Sequence, residues 1–376
     1  MAGLYIHIPF CKSRCIYCGF YSTTRLEMQD RYTDALCSEM ALRTSTDVIE
    51  TVYIGGGTPS QLSAHNLNRL LLYINKVYKV AADAEITIEC NPDDVTPQLS
   101  MLLQSLGVNR VSMGAQTFSD QRLRFLHRRH TAAQVAKAVN MLRQADINNI
   151  SIDLMFGFPG ETVEEWLADI DAALALQVEH LSAYCLMYEE GTPLYKHKPT
   201  RTDADEERER NMYELLIDRL TAAEFEHYEI SNFARRKAGD NPLAPSPFRS
   251  RHNSAYWQGI PYIGIGAAAH SYNITSRSWN KSNLLDYINS IEHHLLPSES
   301  ETLDAATRYN DLVTTAMRTV EGINIDTLEP QMAAYLLENA QRSINQHLLE
   351  LNNGHLHLTR QGLFVSDNVM SDLIFI

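Results

Sequence analysis

The sequence predicts an α/β protein in which a parallel β-sheet curls or closes into a barrel, followed by a smaller helical module. Short apolar runs alternate with helical stretches over the first two-thirds of the chain, as in right-handed β–α–β units. Helical stretches and a small hairpin, expected over 355–365, end the chain and resemble a winged helix. We expect a barrel domain over 1–235, a loop and linking segment over 236–300, and a winged-helix-like domain over 301–376.

The expected elements of the barrel are recognised by their hydrophobic period, which alternates between short strand-like runs and longer helical stretches. Because the chemistry of such folds lies at the carboxyl ends of parallel strands, the residues just past each strand are the candidates for function. We expect strands at 4–8, 51–54, 85–89, 110–113, 150–154 and 180–184, and helices at 28–42, 64–77, 97–105, 132–144 and 163–176.

The charge balance is acidic, with 32 Lys and Arg against 46 Asp and Glu, a net charge of -14. Such a surface repels phosphate backbones, so nucleic acid is not an expected partner. No apolar run in the sequence approaches the roughly 20 residues that span a bilayer. The first residues lack the basic leader of a signal peptide, and we therefore expect a cytoplasmic protein whose thiols stay reduced.

Three of the six cysteines lie within eight residues, in a C-x3-C-x2-C spacing just after the first expected strand. Thiolates of Cys11, Cys15 and Cys18 at this spacing can bind three irons of a [4Fe–4S] cluster and leave the fourth open. The alternatives are a zinc site or three structural thiols. Zinc normally takes four ligands, and the sequence has no second cysteine pair to complete such a site.

Several other residues follow expected strands. Gly57 and Thr58 lie between a strand and a helix, where backbone amides can approach an anionic group, although on its own this motif is more often just a tight turn. Glu89 and Asp153 also lie at strand ends, and each on its own is as readily a capping or salt-bridge residue.

These motifs together resemble the radical S-adenosylmethionine (SAM) superfamily, and within it the HemN-like, coproporphyrinogen-dehydrogenase-like branch, over nearly the whole chain. The resemblance implies a partial (β/α)6-type TIM barrel, a [4Fe–4S] cluster and SAM as a cofactor. The matching segments are 5–11, 55–59, 88–89, 114–116, 153–159 and 264–266.

The resemblance also implies which residues bind SAM. Arg128 would hold a carboxylate through its planar guanidinium, and Asp153 would accept hydrogen bonds from a ribose hydroxyl. The positions that match the family's SAM site are Tyr5, Tyr17, Gly57, Thr58, Glu89, Gln116, Arg128, Asp153, Met187 and His270.

Two features separate this chain from the HemN enzymes themselves. HemN-type oxidases have a fourth cysteine where this chain has Phe20, and they carry a longer segment before the first strand. The segment His252-Asn-Ser-Ala-Tyr256-Trp257 matches an H-N-x-x-Y-W motif that resembles the haem chaperones of the HemW type. An imidazole such as His252 can ligate haem iron, and the rings of Tyr256 and Trp257 can contact a porphyrin.

The resemblance therefore implies a haem chaperone that binds haem and transfers it to acceptors such as respiratory haem proteins, with an electron donor for the cluster and exchangeable SAM. The propionates of haem would meet Arg249 or Arg251. Equally open is a structural role, in which the H-N-x-x-Y-W segment attaches the C-terminal module to the barrel. Alternative functions are oxygen-independent coproporphyrinogen III oxidation and another radical SAM reaction on a porphyrin. An oligomer and a peripheral membrane contact stay open.

Overall fold

The centre of the fold is a run of six parallel strands that lie side by side in chain order. The computed structural model describes residues 2–200, 202–237, 239, 241 and 244–376. All of the predicted strands are present, which confirms the expected β/α order. The strands are β1 Ala2–Ile8, β2 Val48–Gly56, β3 Lys79–Cys90, β4 Arg110–Gln116, β5 Asn149–Phe156 and β6 His180–Cys185.

Helices between these strands cover the outer face of the sheet. Ser63 caps one of them by accepting from the backbone N–H of Asn66, and Thr162 forms a capping box with Glu165 at another. The predicted helices are confirmed, and a short one near Phe125 was not predicted. The helices are α1 Gln29–Leu42, α2 Ala64–Val77, α3 Pro97–Ser105, α4 Asp120–Phe125, α5 Ala132–Gln144 and α6 Val163–Ala175.

The two faces of each central strand meet different surroundings. Along β4, Val111, Met113 and Ala115 are fully buried under the helices, whereas Arg110 and Gln116 face a cavity on the inner side of the sheet. Alternation of this kind follows from the period of two in a strand. The sheet is the expected partial (β/α)6-type barrel, with an apolar outer layer and a polar interior.

Further strands extend the sheet at both of its edges. Two antiparallel strands follow β6, and on the opposite side a parallel strand pairs with β1 and leads to three antiparallel ones. Most of the segment expected to link the domains thus belongs to the first sheet. These elements are α7 Asp203–Ala222, β7 Phe225–Glu229, β8 Asn232–Arg235, α8 Arg251–Trp257, β9 Tyr262–Ile265, β10 His270–Tyr272, β11 Ser276–Asn280, α9 Leu284–Glu292 and β12 Ser298–Thr302.

The C-terminal module has its own hydrophobic core, built around Tyr309, Val313, Leu336 and Leu356. A three-stranded sheet lies against its helices, as in the winged-helix-like domain that the sequence predicts. The elements are α10 Ala305–Ala316, β13 Ile323–Asn324, α11 Pro330–Asn345, β14 Leu349–Asn352, β15 His355–Leu358, α12 Arg360–Leu363 and α13 Ser366–Leu373.

The hairpin of this module lies earlier than predicted. Its turn is Asn353-Gly354, where both residues have positive φ, and residues 360–362, the expected turn, lie in helix α12. An Asn-Gly pair between two short runs is the usual signal for a two-residue hairpin, and it outweighs the glycine at 362. In the part of the chain that is described, none of the helices has the length and apolar character needed to cross a membrane.

Candidate functional site

A cavity of about 550 Å³ opens at the carboxyl ends of the parallel strands, beneath the loop that follows β1. This is the position that the barrel fold predicts for chemistry. Most of the residues that the sequence singled out face this one space. They are Cys11, Cys15, Cys18, Tyr17, Gly57, Thr58, Glu89, Gln116, Arg128, Asp153 and Met187.

The loop that carries the three cysteines is tied to the sheet by short-range contacts. The backbone N–H of Cys11 donates to the carbonyl of Thr23 over 2.9 Å, and the hydroxyl of Thr58 donates to Cys11 Sγ over 3.4 Å. A Cβ at Gly57 would lie 3.0 Å from the same sulfur and 2.8 Å from the backbone of Pro9. A larger residue at Gly57 would therefore push the cysteine loop away from the turn after β2.

Arg128 connects the cysteine loop to the end of β4. Its Nη1 donates to Cys15 Sγ over 3.7 Å, and its Nη2 donates to Asn91 Oδ1 over 2.7 Å and to the carbonyl of Gly114 over 2.6 Å. Burial raises the pKa of Tyr17, which lies beside this guanidinium and is a neutral phenol at neutral pH. The guanidinium therefore orients protein groups in this structure.

Two partly buried carboxyl groups face the interior of the cavity. Glu89 accepts from the Tyr53 hydroxyl over 2.8 Å and from the backbone N–H of Gly56 over 3.0 Å. Burial, opposed by that hydroxyl, raises the pKa of Glu89 to about 7. Burial also raises the pKa of Asp153 to about 6, against a hydrogen bond from Ser182. Both carboxyls can therefore change protonation near neutral pH when a charged ligand enters.

Two of the expected SAM residues, Tyr5 and His270, lie outside the described lining of the cavity. The hydroxyl of Tyr5 bonds to His7 Nδ1 over 3.0 Å, and its ring stacks on Tyr53 at 6.2 Å, below the cavity wall. His270 lies in an antiparallel strand beyond β9, where its exposed ring approaches Trp279 at 6.3 Å. The sheet extension carries His270 past β1, and a role for it in SAM binding stays a prediction.

The H-N-x-x-Y-W segment forms helix α8 and lies at the opposite end of the barrel. His252 is 1% exposed; its Nδ1 bonds to Thr51 Oγ1 over 2.8 Å and its Nε2 to the Tyr256 hydroxyl over 2.9 Å. Its ring stacks on Tyr53 at 5.1 Å. Burial lowers the pKa of His252 to about 3. Since both ring nitrogens have partners, ligation of haem iron by His252 would require one of these hydrogen bonds to break, and that role stays a prediction.

The rest of the segment attaches the C-terminal module to the barrel, which is the structural alternative. The ring of Trp257 lies under the guanidinium of Arg318 at 5.0 Å, at the end of the first helix of that module. Arg249 pairs with Glu226 and Glu321, and Arg251 donates to the carbonyl of Asp83. The guanidinium groups of these two arginines therefore bind protein groups in this structure and are not free to bind haem propionates. Tyr256, bonded to His252, packs edge-on against Tyr262 at 4.5 Å.

Sequence reasoning missed several residues of the cavity wall, among them Arg110, Ser112, Tyr53 and Asn253. Two of them could have been predicted. Arg110 and Ser112 alternate with Val111 and Met113 along an expected strand, so they lie on the same face as the polar residue Gln116 at its end. Asn253 reaches the cavity only because α8 enters the barrel from the far end, and no local pattern predicts that.

Comparisons with known proteins agree with this architecture. The sequence model of the radical SAM superfamily matches residues 5–173, and that of the HemN C-terminal domain matches residues 303–365. The HemN coproporphyrinogen III oxidase of Escherichia coli, a radical SAM enzyme, superposes with a TM-score of 0.83 over 99% of this chain and 90% of its own, at 22% identity. At that identity the likeness concerns the fold alone.

Several relatives found by sequence have a higher identity to this chain than that enzyme has. The haem chaperone HemW of Bacillus subtilis is 33% identical over 98% of this chain and 98% of its own length. The HemW of Escherichia coli is 36% identical over 71% of this chain and 69% of its own. A mitochondrial radical S-adenosyl methionine domain-containing protein 1 from Bos taurus is 29% identical over 99% and 87%. This chain therefore belongs to the radical SAM superfamily and, within it, to the family of the HemW haem chaperones.

Proposed function

We propose that this protein is a haem chaperone that binds haem and passes it to acceptor proteins. The observation that carries the proposal is full-length similarity to relatives named as haem chaperones, combined with three thiols at the mouth of one cavity. Membership of the radical SAM superfamily implies a [4Fe–4S] cluster and SAM. We assign the cluster to Cys11, Cys15 and Cys18.

The donor set of the cavity fits such a cluster. The three sulfurs surround one space on a single loop, and thiolates are the ligands that iron–sulfur clusters take. Among the residues that the structure describes, no three His, Cys, Asp or Glu side chains converge on one point as they do around a single ion. In a [4Fe–4S] cluster each thiolate binds a different iron. The three sulfurs therefore do not need to converge on one point.

The proposed SAM site is the rest of the same wall. When bound, the cluster and SAM supply one-electron chemistry that protein side chains do not provide. Gly57 and Thr58 keep the approach to Cys11 narrow, and Glu89 and Asp153 offer acceptors to the hydroxyls and amines of a nucleoside. Arg128 connects Cys15 to the carbonyl of Gly114 by hydrogen bonds, and Gln116 lies at the end of the same strand as Gly114. Tyr5 supports this wall from behind through Tyr53.

The competing function is oxidation of a coproporphyrinogen side chain, as in the HemN enzyme that shares the fold. Phe20 argues against it, because this ring is 71% exposed and lines the cavity where the oxidases have a further cysteine. We therefore infer that the chain delivers haem and does not make its precursor. Haem acceptors such as respiratory haem proteins, an electron donor, a peripheral membrane contact and a cytoplasmic location belong to the same proposal.

The test uses the full chain, reconstituted with iron and sulfide under anaerobic conditions. We expect haem to bind at about one per chain in a Soret titration, and to move to an apo-cytochrome added in excess. We expect no conversion of coproporphyrinogen III with SAM and a reductant. Robust turnover of that substrate, or haem that binds only non-stoichiometrically, would overturn the chaperone proposal.

A further inference from the structure

One buried cation faces the cavity without a counter-charge in contact. Arg110 begins β4, is 2% exposed, and lines the cavity that also contains Cys15. The cysteine loop is held at the level of Gly114, whose carbonyl binds Arg128. At about 3.3 Å per residue along a strand, the backbone of Arg110 lies roughly 13 Å farther inside. Its side chain therefore occupies the inner end of the cavity.

The charge of Arg110 acts on the nearby carboxyls without touching them: burial raises the pKa of Glu89 and of Asp153, and Arg110 opposes that rise in both. Within the described part of the chain, its Nε has no hydrogen-bond partner and no carboxylate lies at ion-pair distance from its guanidinium. Burial and the nearby charge of Arg110 lower the pKa of His180 and of His252. Each of these rings has a hydrogen bond at both of its nitrogens. A buried guanidinium normally has a partner. The carboxyls of Glu89 and Asp153 face the same cavity but hold Tyr53, Ser112 and the backbone of Gly56.

We propose that Arg110 binds a carboxylate of the ligand that enters this cavity. The planar fork of a guanidinium suits a carboxylate, and exclusion of water at the inner end strengthens the contact. Two ligands of the proposed function carry such a group: SAM through its methionine portion, and haem through its propionates. The identity of the two ligands rests on the proposed function, whereas the assignment of a carboxylate to Arg110 rests on the geometry of the cavity.

The experiment compares each ligand with the same molecule lacking the carboxylate. Haem is titrated against its dimethyl ester, and SAM against decarboxylated SAM, into wild-type protein, Arg110→Gln and Arg110→Lys. For one of the two pairs we expect the wild type to prefer the acid by about 10-fold or more, as for hydrogen bonds to charged groups. Arg110→Gln should lose that preference and Arg110→Lys should keep part of it. The pair that shows the preference identifies the source of the carboxylate.

The control is Arg143→Gln, since Arg143 donates to the backbone carbonyls of Leu176 and Gln177 on the outside of the barrel. It should leave both preferences as in the wild type. A wild type that binds acid and ester equally in both pairs, or an Arg110→Gln protein that keeps the preference, would overturn the inference. Failure of haem to bind the wild type at all would sink the proposed function, while the SAM pair would still decide the role of Arg110.

Discussion

The two ends of the barrel are built from the same strands but have opposite character. At the cysteine end, defined by Cys11, Cys15, Cys18 and Gly57, sulfurs and polar groups face an open cavity. At the barrel floor, defined by Thr51, His180 and His252, the side chains are buried and the imidazoles have a partner for each nitrogen.

This difference separates the chemistry of the site from the stability of the fold. Polar groups of the floor that satisfy one another resist exchange with solvent or ligand, because breaking one bond leaves a buried partner unsatisfied. Groups at the cysteine end lack that constraint and can accept a cofactor. The H-N-x-x-Y-W segment belongs to the floor, where its hydrogen bonds give it a structural role, and haem binding by this segment stays a prediction.

The largest effect is expected at the cysteine end. Cys15→Ser should remove the visible absorbance of the reconstituted protein and reduce bound iron from about four per chain to nearly none, because an alkoxide is a poor substitute for a thiolate. The circular dichroism of the variant should match that of the wild type, since Cys15 lies on a partly exposed loop outside the hydrophobic cores. Iron analysis and the absorbance spectrum measure the effect.

The matched control is Cys185→Ser, which changes a thiol that lines the same cavity from the end of β6. Its spectrum and iron content should stay at the wild-type level. An unchanged spectrum in the Cys15→Ser protein would remove that residue from the ligand set and with it the division between the two ends.

A smaller effect, on stability rather than on the cofactor, is expected at the barrel floor. His252→Ala should lower the free energy of unfolding by about 3 kcal/mol, because it opens a cavity and leaves the hydroxyls of Thr51 and Tyr256 without their partner. Urea denaturation followed by circular dichroism measures this loss. The Soret titration of the folded variant should give the wild-type haem affinity within about a factor of two.

The control for this change is His65→Ala, since His65 is exposed on α2 and its loss should change the unfolding free energy by less than about 0.5 kcal/mol. A His252→Ala protein of normal stability whose Soret band is lost would reverse the assignment of the motif to structural support.

The cysteine end could be predicted from the sequence because its signals are local. A C-x3-C-x2-C loop after one strand and a Gly57-Thr58 turn after the next are fixed by short segments, and parallel strands bring their ends to one edge. Residues as far apart as Cys11, Glu89 and Asp153 could therefore be assigned to one site without any knowledge of long-range packing.

The floor could not be predicted in the same way, because it depends on which element enters the barrel from below. The first turn of the helix that contains His252 is capped by Glu85, whose carboxylate accepts from the backbone N–H groups of Arg251 and His252. The local sequence around His252 does not predict this contact. The place of His270 outside the cavity lining could not be predicted for a related reason: its position depends on the pairing of β9 with β1, a contact between residues about 260 apart. Long-range pairing of this kind leaves little trace in a single sequence.

Glu89 joins the two ends, since it accepts from Gly56 at the cysteine end and from Tyr53, whose ring stacks on His252. Its pKa of about 7 in the fold lies above the usual value of 4.5. The folded state thus binds this proton more tightly than the unfolded chain. The stability it contributes is full below about pH 4.5 and is lost as the pH rises through about 7. At 1.36 kcal/mol per pKa unit, Glu89→Gln should reduce the decline in unfolding free energy between about pH 5 and about pH 8 by about 2 kcal/mol.

The measurement is a series of urea denaturations of the protein without cofactors across this pH range. Any hydrogen bond that glutamine fails to make shifts all points of the series equally, so the difference in slope reports the carboxyl alone. Glu27→Gln, on an exposed residue before α1, should leave the slope unchanged. If the Glu89→Gln protein keeps the wild-type slope, the carboxyl is ionised throughout, and the interior of the cavity is as well solvated as the protein surface.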